Sequence, residues 1–142
     1  MGGKLKPIAL GLLFSALSGC VSTDSRPMNE NQAVADYMKL ARGYIEQGYT
    51  EKAVKPLKRA LEIEPGSVSA LGMLGMVYQL QGEYDFAEEA FKMALSRDPK
   101  ASDVRNNYGA FLFSQNRLQE AYRQFELASG DVSYSQRSRT FE

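Results

Sequence analysis

The sequence predicts an all-α fold of stacked helix–turn–helix units, and three observations carry that prediction. Residue types recur at a fixed interval: Tyr44, Gly48, Ala53, Ala60 and Pro65 return 34 residues later as Tyr78, Gly82, Ala87, Ala94 and Pro99. Gly75, Ala87, Phe91 and Ala94 return after the same interval as Gly109, Ala121, Phe125 and Ala128. Within one period the apolar residues follow helical spacing, and glycine and proline fall where helices should stop. A self-similar period of this length marks a solenoid, in which each unit buries its apolar face against its neighbours.

Three units follow, at 34–67, 68–101 and 102–135, and residues 136–142 read as a linker and the opening of a fourth. In the first helix of the second unit, Leu71, Leu74, Gly75 and Tyr78 stand at i, i+3, i+4 and i+7, so they share one face, which is core. On the second helix Ala87, Phe91 and Ala94 do the same: the alanines let two helices approach and the ring fills between them. Gly48 and Gly82 end the first helices, because glycine enters a left-handed conformation without steric penalty. Pro65 and Pro99 end the second helices, since the residue before a proline avoids the helical region. Pro56 lies inside a second helix and should remove a hydrogen bond or kink it. The third unit departs at three places: Arg105 takes a large apolar position, Asn116 replaces the turn glycine, and Ser133 replaces the proline. Asparagine tolerates the left-handed conformation, so the turn should survive. Tyr122, Phe125 and Phe141 are expected to lack a following repeat, and the chain reads as truncated inside the fourth.

The N-terminus is a processing signal. Lys4 and Lys6 form a basic n-region, and Ile8 to Ala16 form an apolar run too short to span a bilayer. The run closes on Leu17-Ser18-Gly19-Cys20, which resembles the bacterial lipobox, with the chain's only cysteine at its end. Residues 1–19 are therefore expected to be a lipoprotein signal peptide and Cys20 the lipidated first residue of the mature chain. Their removal takes away two lysines and no acid, leaving a net charge of −2, which gives no reason to expect a basic membrane-binding surface. The lipobox resemblance implies three acyl chains, enough for stable anchoring. Val21 follows Cys20 where an aspartate would signal inner-membrane retention, so the expected location is the outer membrane, on its periplasmic face. Residues 20–33 read as a flexible tether, polar and without helical periodicity.

Composition narrows the function. Basic and acidic residues balance at 17 each over 142 residues, which gives no footprint for nucleic acid. With no histidine and one cysteine, disulfides within the chain and zinc sites of the Cys/His type are excluded by count. No phosphate-binding glycine loop is present. The expectation is a chain that is not an enzyme, takes no small-molecule substrate, and needs no cofactor and no metal.

The period and its residue types resemble the tetratricopeptide repeat (TPR). A narrower resemblance rests on Asn106-Asn107-Tyr108-Gly109-Ala110-Phe111-Leu112, on Glu120-Ala121-Tyr122, on the Arg137-Ser138-Arg139-Thr140-Phe141-Glu142 ending, and on Pro56-Leu57 and the lipobox. Together these are similar to the type IV pilus biogenesis and stability lipoproteins, the PilW/PilF family. That resemblance implies a pilotin-like lipoprotein that binds the pilus secretin and assists its outer-membrane localisation and multimerisation. A general envelope scaffold, recruiting peptidoglycan or barrel-assembly proteins, would use the same fold.

TPR arrays present their first helices to a partner. By repeat position the groove residues are Met38, Arg42 and Ile45, then Gly72, Met73, Met76 and Leu80, then Asn106, Asn107, Ala110 and Phe113. The methionines have two readings, core filler or an adaptable apolar contact surface. Gly72 is expected to leave room for the partner between them. Met38, Met73 and Asp103 stand where a carboxylate-clamp TPR needs basic or amide residues, which argues against that type. Glu83, Asp85, Glu88 and Glu89 read as a solvated face near a helix N-terminus.

Overall fold

Asn29 opens the ordered chain: its backbone is extended and its side chain accepts a hydrogen bond from the Asn31 amide at 3.2 Å, capping the first helix. The computed structural model describes residues 29–130. They form six helices: α1 Glu30–Glu46, α2 Thr50–Ile63, α3 Val68–Gln81, α4 Tyr84–Arg97, α5 Ser102–Ser114 and α6 Leu118–Ser129. Among the described residues there is no strand. Cys20 and the expected signal peptide, the expected tether through Met28, and Ser133, Phe141 and the rest of the expected fourth-repeat opening lie outside them. One boundary differs from expectation. Residues 30–33 are helical rather than tether: the Asn29 side chain caps the helix there, and Gln32 Nε2 donates to Asp36 Oδ1 one turn on at 3.0 Å.

The helices pair as α1–α2, α3–α4 and α5–α6, and the pairs stack in chain order. The turn residues behave as the sequence predicts: Gly48 and Gly82 have φ of 78° and 77°, and Asn116 takes the same left-handed region at 60°. In each turn the backbone folds back onto the helix it leaves, with Tyr49, Glu83 and Arg117 amides donating to the Tyr44, Tyr78 and Leu112 carbonyls. Ile63 and Arg97, the last helical residues of α2 and α4, each stand two residues before a proline. Pro56 is buried and α2 runs through it as one element, so the missing N–H costs a hydrogen bond without ending the helix.

Inside each hairpin one close contact is conserved in geometry while its residues change. In repeats two and three a glycine faces a phenylalanine: a Cβ on Gly75 would lie 2.8 Å from the Phe91 ring, and one on Gly109 would lie 2.6 Å from the Phe125 ring. At the same register repeat one has Ala41 and Leu57, both fully buried in one cluster. The smaller aliphatic side chain leaves the space that the alanine methyl fills, so total volume across the contact is kept. Phe91 is fully buried, with Tyr108 and Phe111 at ring-centroid distances of 5.7 and 5.9 Å. Burying such a ring stabilises the fold by roughly 1.5–3 kcal/mol, and it ties α4 to α5 across the repeat boundary.

Candidate functional site

The stacking sets which side chains are offered to a partner. The first helices of repeats two and three, α3 and α5, touch one another, whereas α4 meets the next repeat through α5. α3 and α5 therefore share one side of the stack, here called its inner side.

Nine of the eleven expected groove residues fall into three groups. Met38, Ile45, Met73 and Met76 are partly buried and pack against the core clusters, so the filler reading accounts for part of each. Arg42, Asn106 and Ala110 are exposed. Leu80 and Phe113, in the last turns of α3 and α5, are large apolar side chains open to solvent, at 61% and 56%. Asn107 is partly buried and its Nδ2 donates to the Met76 sulfur at 3.2 Å, which links α5 to α3 on this face. Gly72 requires a correction. It is buried, and a Cβ there would come within 2.9 Å of Val104 Cγ2, so its missing side chain admits α5 rather than a partner.

A second correction concerns the acidic run. Glu83, Asp85 and Glu89 are exposed, as a solvated face should be, but Glu88 is the centre of a polar network between repeats two and three. Tyr108 Oη donates to Glu88 Oε1 at 2.9 Å, Arg117 Nη1 donates to Oε2 at 2.7 Å, and Lys92 Nζ stands 2.7 Å from Oε1. Arg117 also grips Glu120 through Nε and Nη2, at 2.8 and 2.6 Å. The Arg117 hydrogen bond, helped by those from Lys92 and Tyr108, holds the Glu88 carboxyl down at about 2 against the opposing effect of burial. Burial, together with the neighbouring Glu88, pushes the Tyr108 phenol well above its ordinary range. Arg105, at the position where the other repeats place an apolar residue, is satisfied by the Pro99 carbonyl at 2.8 Å and Gln124 Oε1 at 2.7 Å. Glu88 and Lys92 also border a shallow surface depression of about 530 Å³ with Asp85, Glu89, Met93 and Ser96.

Two apolar surfaces escaped the reading by repeat position. One is a groove of about 510 Å³ at the N-terminal end of the stack, where Tyr37, Leu40 and Tyr44 of α1 meet Lys52, Lys55, Pro56 and Arg59 of α2. The signal for it was present: Leu40 stands at the register of Leu74, one repeat earlier, in the first helix of the described residues. The other is a crevice of about 280 Å³ between repeats one and two, lined by Leu61, Pro65, Tyr78, Phe86 and Met93 among others. Phe86 is 55% exposed and leans on Tyr78 at 5.4 Å between ring centroids. The 34-residue period does not place Phe86, because its register holds Lys52 and Glu120 in the neighbouring repeats.

Tetratricopeptide-repeat family models match residues 37–67 and 68–101, the first two units. Among curated proteins, the chain is 41% identical over 136 residues to the type IV pilus assembly protein PilF of Pseudomonas aeruginosa. That match covers 92% of this chain and 54% of PilF. It is also 32% identical to an uncharacterized protein of Haemophilus influenzae, over 98% of this chain and 76% of that protein. The chain belongs to the TPR family of PilF. A solved P. aeruginosa PilF structure agrees in three dimensions, with a TM-score of 0.70 at 42% identity, over 80% of this chain and 51% of that one. The chain thus spans about half the length of the PilF proteins it matches. A Yersinia enterocolitica type III secretion translocator chaperone, SycD, shares the fold at 20% identity and a TM-score of 0.65.

Proposed function

We propose that this chain is a type IV pilus assembly lipoprotein that binds the pilus secretin and assists its localisation and multimerisation at the outer membrane. The observation that carries the reading is the PilF match along nearly the whole chain. The stack supplies what such a role requires: a rigid inner face with Leu80 and Phe113 exposed, flanked by partly buried methionines that can repack around an apolar segment. The role is non-catalytic in this reading, with protein binding as the only activity. Anchoring is assigned to diacylglycerol on Cys20, with the chain held at the periplasmic face of the outer membrane.

The test is complementation in a strain lacking the gene, reading secretin multimers on denaturing gels of outer-membrane fractions. Leu80→Glu and Phe113→Glu each put a charge on the inner face without entering the core, so the purified variants should keep wild-type melting curves while multimers fall. Cys20→Ser should move the protein out of the membrane fraction. Normal multimers with both inner-face variants would remove the secretin from that face, and a membrane-bound Cys20→Ser protein would remove the lipid anchor.

A further inference from the structure

We propose that the groove at the N-terminal end of the stack is a docking site for an amphipathic helix of a protein partner, one that carries carboxylates along a flank. The repeat register carries the shape of this argument. Leu74 in α3 and Tyr108 in α5 occupy equivalent positions and are only 7% and 5% exposed, because α2 and α4 respectively lie against those helices. Leu40 holds the same register in α1 and is 47% exposed. Tyr37 and Tyr44, about one turn to either side, are partly buried and line the same groove. A surface that twice receives a helix inside this chain is thus presented open a third time.

The walls fix the charge of the occupant. Lys52, Lys55 and Arg59 stand at i, i+3 and i+7, on one face of α2, and line the groove, against one acid, Glu51. Arg59 is shared with Glu62 on its own helix, and Lys52 rests over the Tyr49 ring at 4.4 Å from its centroid. Lys55 meets no carboxylate among the described residues. The chain contains the complementary case: α4, seated on α5, presents Glu88 to Arg117 and Tyr108. A helix with a small apolar face and an acidic flank satisfies both features of the open groove. This surface lies apart from Leu80 and Phe113, and its test does not depend on the pilus reading.

The probe is a synthetic, hydrocarbon-stapled peptide of residues 83–98 of this chain, the acidic helix that lies against the equivalent register of α5. Its control carries Asp85→Lys, Glu88→Lys and Glu89→Lys. Fluorescence anisotropy with the full chain bearing Cys20→Ser should show the native peptide binding about tenfold or more tighter than the control. Leu40→Glu should remove binding of both, and Lys52→Glu with Lys55→Glu should invert the preference toward the basic peptide. All three positions border solvent, so circular dichroism melts should match wild type. Equal binding of the two peptides, or a preference that the lysine variants leave unchanged, overturns the proposal. So does cosedimentation with phosphatidylglycerol vesicles that is lost in the lysine variants, which would make the face a lipid contact. Self-association abolished by Leu40→Glu would likewise assign it to a second copy.

Discussion

The two junctions between repeats are built from different chemistry. Between repeats one and two, α2 meets α3 through Leu57, Leu61, Leu74 and Tyr78, and among the described residues no side-chain hydrogen bond crosses. Between repeats two and three, a comparable apolar contact centred on Phe91 is joined by the Glu88–Tyr108–Arg117 network and by the Asn107–Met76 contact. Apolar packing is non-directional and rewards burial in any orientation that preserves volume. Hydrogen bonds to a charged carboxylate have direction as well as strength. The second junction is therefore specified in angle, and the first mainly in area.

The largest separation between the junctions should come from deleting the aromatic centre of the second. Phe91→Ala removes a fully buried ring touching both Tyr108 and Phe111, and should cost about 3–5 kcal/mol. Leu57→Ala at the first junction should fall lower, within about 2–5 kcal/mol. Urea unfolding midpoints measure both, and a larger loss for Leu57→Ala would reverse the ranking of the junctions.

A smaller effect, but one that changes sign, is expected at Gly72. Alanine ordinarily favours a helix over glycine by about 1 kcal/mol. Here its methyl meets Val104 at 2.9 Å, so Gly72→Ala should instead destabilise by about 1–3 kcal/mol. In a Val104→Ala background the same change should be neutral or stabilising. A double-mutant cycle with no coupling would mean that α5 does not use the space.

The smallest expected effect is the most diagnostic of the polar junction. Glu88 has its carboxyl lowered from 4.5 to about 2 in the folded chain, so it favours folding above its unfolded value and loses that contribution as pH falls toward 2. Stability of wild type relative to Glu88→Gln should be greater by about 1–3 kcal/mol at neutral pH, and the gap should close between about pH 4.5 and 2. A gap independent of pH over that range would assign the network no electrostatic role.

The period made the hairpins, the turn residues and the core positions legible, since each depends on local spacing. Asn116 could be placed in a left-handed turn because only its own backbone and side chain matter there. Glu88 could not be read locally: its partners Tyr108 and Arg117 lie 20 and 29 residues away, and an acid near a helix start has a sufficient local explanation. Gly72 shows the same limit from the other side. That a side chain is missing was visible, but whether a partner or the next helix fills the space depends on where Val104 arrives. Leu40 was legible in principle, since the register that buries Leu74 names it, yet a positional list drawn from inner-face residues passes over the end of the stack.

Every close helix pairing in the described residues joins consecutive helices or, for α3 and α5, helices one apart. Contacts are therefore short in sequence, and little loop entropy opposes forming any one of them. A chain that emerges end first, from a ribosome or a translocation channel, can close α1 onto α2 before α5 has appeared, and each later hairpin then condenses on a surface already in place.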